Sequence, residues 1–158
     1  MNGLSGIDMQ IKKIILTGAL GGLILLVVTI ISGAVAGVIL PYNIFDIPGM
    51  RPVTDPVAVL FFFYPFVVAV AAAILYDIID PVLPGTTVRK GITYGLLLVV
   101  IVTIPNQYII WSSMYYPMGF YLSNILSGII GFPFFGILCA RMWGQGGLQR
   151  LKREAAGI

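Results

Sequence analysis

The sequence predicts an all-α integral membrane protein. Four transmembrane helices form two antiparallel hairpins, packed as a four-helix bundle with both termini cytoplasmic. Three observations carry that prediction. Four long apolar runs are almost free of charge, prolines and glycines punctuate the links between them, and the basic residues gather at one set of run ends.

The composition fixes the solvent first. The chain has 158 residues, 59% of them hydrophobic and 9% charged, with a mean hydropathy of +1.02. A soluble domain carries roughly 25% charged residues. A chain this short has too little interior to hide so much apolar surface from water, and a lipid bilayer removes the conflict. One membrane domain over residues 1–158 is the natural count.

The first run, 14–40, follows Lys12 and Lys13 and contains no charge. Its Ala34-Val35-Ala36 stretch suggests a signal-peptide cleavage site, but a signal h-region is only about 7–15 residues long, so the run reads as a retained helix. Residues 41–55 hold Pro41, Pro48, Gly49 and Pro52, which suit a loop. Asp55-Pro56 marks the next helix start, an N-cap with proline in the first turn. The second run, 56–76, contains Pro65. The connector after it, Tyr76 to Gly91, holds Asp77, Asp80, Arg89 and Lys90. The third run, 91–111, is interrupted late by Pro105-Asn106-Gln107. A link too short for anything but a turn leads to the fourth run, 118–140, with Pro133 inside it. The tail 144–158 reads as a glycine joint followed by a short amphipathic segment. Leu148, Leu151, Arg150, Lys152 and Arg153 would lie on anionic lipid, and Trp143 would anchor at the headgroups.

Orientation follows from the basic residues. Lys12, Lys13, Arg89, Lys90, Arg141, Arg150, Lys152 and Arg153 share one side, and Arg51 stands alone on the other. That imbalance is a positive-inside signal placing both termini and the central connector in the cytoplasm. Tyr108, Trp111, Tyr115, Tyr116 and Tyr121 gather at the opposite edge as an interfacial aromatic belt. The net charge of +3 is therefore a topology signal rather than a sign of nucleic-acid binding. The expected partners are membrane lipid and either a second copy or a larger membrane complex.

Small residues recur at helix-packing spacing: Gly18, Gly22, Thr29, Gly33 and Gly37 on the first helix, and Ser127, Gly128 and Gly131 on the fourth. Such spacings let backbones approach closely in lipid, within the bundle or between copies. The most suggestive polar residues are Tyr64, Asn106, Gln107, Ser123 and Asn124. The tight turn between the third and fourth runs puts Asn106 and Asn124 at one depth, each inside its helix by roughly 7–9 Å at 1.5 Å per residue. Two readings stay open. One is an interhelical hydrogen-bond clamp that satisfies the backbone carbonyl freed by Pro105. The other is a ligand-binding pocket open to the outer side, reached past Tyr64 and the 41–55 loop.

The connector's Asp77 and Asp80 lie three apart on a helix face, a weak match to a Mg²⁺-dependent lipid-phosphate site. Interfacial ion pairs among Asp77, Asp80, Arg89, Lys90 and Arg141 are the simpler expectation. Asp46, Arg51 and Asp55 are read as a loop-ordering set. The chain has no histidine and one cysteine, Cys139, which reads as a buried inert thiol. Neither a metal nor another cofactor is expected. No Walker loop, dinucleotide glycine motif or serine–histidine arrangement occurs, and no charge lies deep in any run, which disfavours an ion pump. The expected function is a structural, accessory or self-associating subunit. Small-molecule or lipid binding or transport is the alternative, and the lipid-phosphate enzyme comes last.

Overall fold

A computed structural model describes residues 3–155, with side chains for residues 9–144. It is all-helical. The order is α1 (Gly3–Ile39), a 3-10 turn at Ile44–Asp46, a 3-10 helix at Pro56–Phe63 running into α2 (Tyr64–Ile79), and a second 3-10 turn at Asp80–Val82. Then come α3 (Thr87–Leu98), a π-helical turn at Val99–Thr103, α4 (Ile104–Ser113) and α5 (Met118–Ala155). Four stretches are long and apolar enough to cross a membrane: Met9–Ile39, Pro56–Val82, Thr87–Ser113 and Met118–Gly144. At 1.5 Å per residue each exceeds a hydrocarbon core of about 30 Å. The protein is a multi-pass membrane protein.

Two prolines set the helix geometry. The ring of Pro65 denies the Phe61 carbonyl its usual partner four residues on. The N–H of Tyr64 takes that carbonyl instead, three residues on, so the chain runs as a 3-10 helix up to the proline. Asp55 starts this segment, its side chain accepting from the Val57 N–H at 2.8 Å. Pro105 has a different effect. Ahead of it the helix widens, and the Ile104 N–H reaches back five residues to the Val99 carbonyl. The extra residue lets the third span pass its proline without stopping. Pro133 lies inside α5, which continues through it. The two proline motifs around Pro65 and Pro133 thus have different backbones.

The helices extend beyond their apolar runs. α1 already includes Lys12 and Lys13. α2 continues past Tyr76 to Ile79, because the chain meets no breaker before Asp80-Pro81. The true turn of the central connector is short. It uses Gly85 at φ +101°, a left-handed conformation that favours glycine. Thr86 then caps α3, its hydroxyl oxygen accepting from the Arg89 N–H at 3.5 Å. α5 runs unbroken through Gly144, Gly146 and Gly147, where a joint was expected, to Ala155. The side chains of the expected amphipathic tail lie outside the described residues.

α1 and α5 pack together at the centre, with α2 against α1 and α3 against α5. The α3–α5 contact is the closest. A Cβ at Gly91 would run into the backbone of Ile137, one at Gly95 into Pro133, and one at Gly136 into Gly91. Of the small residues singled out by spacing, Gly18 and Gly22 receive Val70 and Phe66 of α2. Gly131 meets Leu25, and Gly128 meets Thr103. Gly33 is in ordinary contact with Ser123, and Gly37 faces open space. Thr29 and Ser127 join α1 to α5 through a hydroxyl–hydroxyl hydrogen bond of 2.8 Å.

The core lies in the half of the bundle that carries the charged helix ends. Ala69, Ala72, Ala73, Tyr76, Tyr94, Leu98, Phe135, Cys139, Ala140 and Trp143 fill it. The Tyr76 ring stands edge-on to Tyr94 at 4.9 Å and to Trp143 at 5.4 Å, an arrangement favoured by ring quadrupoles. The Tyr94 hydroxyl donates to the Ala72 carbonyl, tying α3 to α2. The outward face of α1, including Leu16, Leu20, Leu23, Val27 and Ile30, is exposed and apolar, as a lipid-facing surface must be.

A candidate binding cavity at the loop end

The other half of the bundle is open. A cavity of about 620 Å³ lies there, beside the 41–55 loop. Its floor is formed by α1 and α5 around the Thr29–Ser127 hydrogen bond. One wall is Phe61 and Phe62 of the 3-10 helix with Tyr64, Pro65 and Val68 of α2. The facing wall is Val102 and Thr103 of the π turn with Asn106 and Gln107 of α4. Tyr42, Asn43, Ile44 and Phe120 border the loop side.

The two prolines account for the opening. Below the π turn, α3 is held tightly to α5 by the glycine contacts. Beyond it, α4 makes little contact with α5. On the opposite wall the 3-10 helix contributes no buried residue. The walls therefore separate toward the loop end, and the polar residues between them are left facing a space.

All five polar residues grouped by sequence, Tyr64, Asn106, Gln107, Ser123 and Asn124, line this one cavity. They do not bond to one another. Among the described residues, no hydrogen bond joins Asn106 or Gln107 to Ser123 or Asn124. Asn124 donates instead to the Phe120 carbonyl of its own helix, at 2.8 Å. That fixes its amide orientation, since a carbonyl accepts only from the NH₂ side, and turns its Oδ1 free of a protein donor. The Gln107 Oε1 is buried without any partner. Ser123 is buried, while Asn106 and Tyr64 are exposed. No charged residue lines the cavity.

Residues that sequence reasoning missed supply most of the shape. Phe61, Phe62, Val102 and Thr103 look like ordinary apolar-run residues. The signal for them is their position just before the tyrosine–proline and isoleucine–proline steps.

Charges in the neighbouring loop are neutralised locally. Arg51 donates to Asp55 at 2.6 Å as an ion pair, and Asn43 donates to Asp46 at 3.0 Å. The Arg51 guanidinium, with the Val57 N–H, holds the Asp55 carboxyl below the usual carboxylate range.

At the charged end the expected ion-pair set is divided. Asp80 pairs with Lys90 at 3.3 Å and accepts from the Tyr76 hydroxyl at 3.0 Å. Asp77 is held by neutral donors: Gln10 Nε2 at 2.6 and 2.7 Å and Trp143 Nε1 at 2.6 Å. Lys13 Nζ sits 4.5 Å from the Trp143 ring centroid, a cation–π distance. Arg89 and Arg141 make no ion pair among the described residues. Asp77 points toward α1 and α5, where Gln10 and Trp143 lie, and Trp143 is buried among helices rather than spread at the headgroups. Both carboxylates are thus engaged by protein donors.

Set against protein-family models, curated proteins and solved structures, the chain matches none of them.

Proposed function

We propose that this membrane protein binds a small amphiphilic molecule in the cavity between the 3-10 helix and α4, as a binding or transport protein. One observation carries the reading: Asn106, Gln107, Ser123 and Asn124 share a cavity without pairing across it. A structural clamp would close these groups on each other, because unpaired polar groups at membrane depth are costly. The volume and the mostly apolar lining with a few convergent polar groups suit a small-molecule site. The one-sided basic residues support cytoplasmic termini, which would turn the loop end and the cavity to the outer side.

The test is labelling from outside. Cysteines replace Asn106, Asn124 or the exposed α2 residue Val67, one at a time, in intact cells. A membrane-impermeant thiol reagent added outside should modify positions 106 and 124 and leave position 67 unreacted. Silence at both cavity positions would overturn the outward-open cavity.

A further inference from the structure

We infer that the occupant of this cavity is an uncharged, hydroxyl-bearing lipid that enters sideways from the bilayer. The inference rests on the binding reading above and narrows it to a ligand class.

Size comes first. A cavity of about 620 Å³ accommodates a compact headgroup and the start of a chain, and is small for a whole two-chain membrane lipid. The remaining chain must leave through an opening at membrane depth. The structure has such an opening. α2 packs on α1 and α4 follows α3, so the two walls stand apart, and both lie inside candidate spans. Phe61 and Phe62 on one lip and Asn106 on the other are exposed. An acyl or prenyl chain in that gap stays in hydrocarbon and incurs no transfer cost.

Charge decides the headgroup. No acidic or basic side chain lines the site, and the nearby Arg51 is already paired with Asp55. A phosphate or carboxylate drawn into this space would lose its hydration with no counter-charge to replace it. The ligand is therefore neutral.

Hydrogen-bond polarity decides the rest. The amide of Asn124 commits a donor to Phe120, keeping its Oδ1 as a free acceptor at the cavity. The cavity thus presents a free acceptor at Asn124 beside the Asn106 amide and the Tyr64 and Ser123 hydroxyls, which have no side-chain hydrogen bond among the described residues. A hydroxyl group answers both, donating to Asn124 Oδ1 and accepting from these donors. A quinone, which carries only carbonyl acceptors, does not. A glycerolipid with a free hydroxyl, such as a diacylglycerol, meets the requirements of size, charge and donor.

The experiment uses the full chain in neutral-lipid nanodiscs and two diazirine-tagged photoprobes, a short-chain diacylglycerol and decylubiquinone. Cross-linked peptides are mapped by mass spectrometry, and unlabelled dioctanoylglycerol, dioctanoyl phosphatidic acid and decylubiquinone compete. The diacylglycerol probe should label residues around 29–33 and 120–132, with dioctanoylglycerol competing at least tenfold better than either rival. Asn124→Leu should erase that preference. If decylubiquinone labels the same peptides and is displaced as well or better by itself or by phosphatidic acid, the hydroxyl-lipid class is overturned while the binding cavity stands. If neither probe labels the cavity peptides, the binding reading falls with it. Competition in the parent protein decides the question even where a variant fails to fold.

Discussion

The two ends of this bundle use the same helices and solve opposite problems. At the charged end, glycine lets α3 lie directly on α5, three aromatic rings interlock, and each carboxylate finds protein donors. At the loop end, two prolines draw the walls apart, and the carboxamides between them are left without each other. In lipid, close packing comes from van der Waals contact between small residues rather than from a hydrophobic drive. The closed end follows that rule, whereas the open end leaves polar groups in a space that only a ligand or water can satisfy. On the function proposed above, the closed end would serve stability and the open end recognition.

That contrast can be broken most forcefully at the closed end. Gly95→Leu drives a side chain into the Pro133 backbone. It should cost about 1–3 kcal/mol or more, as overpacking does, seen as a large fall in thermal unfolding temperature in detergent. Gly37→Leu, which meets open space, should leave that temperature unchanged. Equal effects would mean that the α3–α5 seam is not where the bundle is held.

Next in size is Trp143→Phe, which keeps a ring against Tyr76 but removes the Nε1 donor to Asp77. A loss of about 1 kcal/mol is expected for a hydrogen bond to a charged acceptor that keeps its Gln10 donor. Chemical denaturation in mixed micelles checks it, and Trp143→Phe combined with Asp77→Asn should lose little more than either alone.

The open end should respond in the reverse sense. Gln107→Leu and Asn124→Leu remove polar groups that have no partner across the cavity. Stability should change by less than about 0.5 kcal/mol, or rise, while ligand occupancy falls at least tenfold. A substantial loss of stability would show that these residues hold helices together after all.

The smallest effect belongs to the loop. Asp55 has its carboxyl pKa lowered by Arg51 and the Val57 N–H. The contribution of a lowered group is present above its unfolded-state value and lost as pH falls through its folded value. Loop order should therefore be constant near neutral pH and decline only below the ordinary carboxylate range. Arg51→Ala should move the decline to higher pH, as read by protease cleavage within residues 41–55.

How much of the molecule is legible in its sequence varies by region, for physical reasons. The spans are legible because composition alone decides whether a helix can live in lipid. The meeting of Asn106 and Asn124 at one cavity is legible too, because a tight turn makes the helices it joins antiparallel neighbours. Contacts between distant segments are not. Nothing local marks Gln10 and Trp143 as the donors to Asp77, residues 67 and 66 positions away. Gly91 is hidden beside Arg89 and Lys90 at the end of what looks like a connector, and Gly95 stands in the third apolar run with nothing local to show that it meets Pro133. The cavity walls depend on how each proline is accommodated. A 3-10 approach to Pro65 and a π turn before Pro105 are equally compatible with a proline in an apolar run.

The central claim is that the open end holds a bound molecule while the closed end holds the fold. Native mass spectrometry of the protein extracted from its own membrane in mild detergent addresses it directly, comparing the parent with Ser123→Trp, which fills the cavity from α5. The account predicts a stoichiometric neutral-lipid adduct on the parent, absent from the variant, with both still folded and of equal helical content by circular dichroism. Bare protein in both, or the same adduct in both, would contradict it.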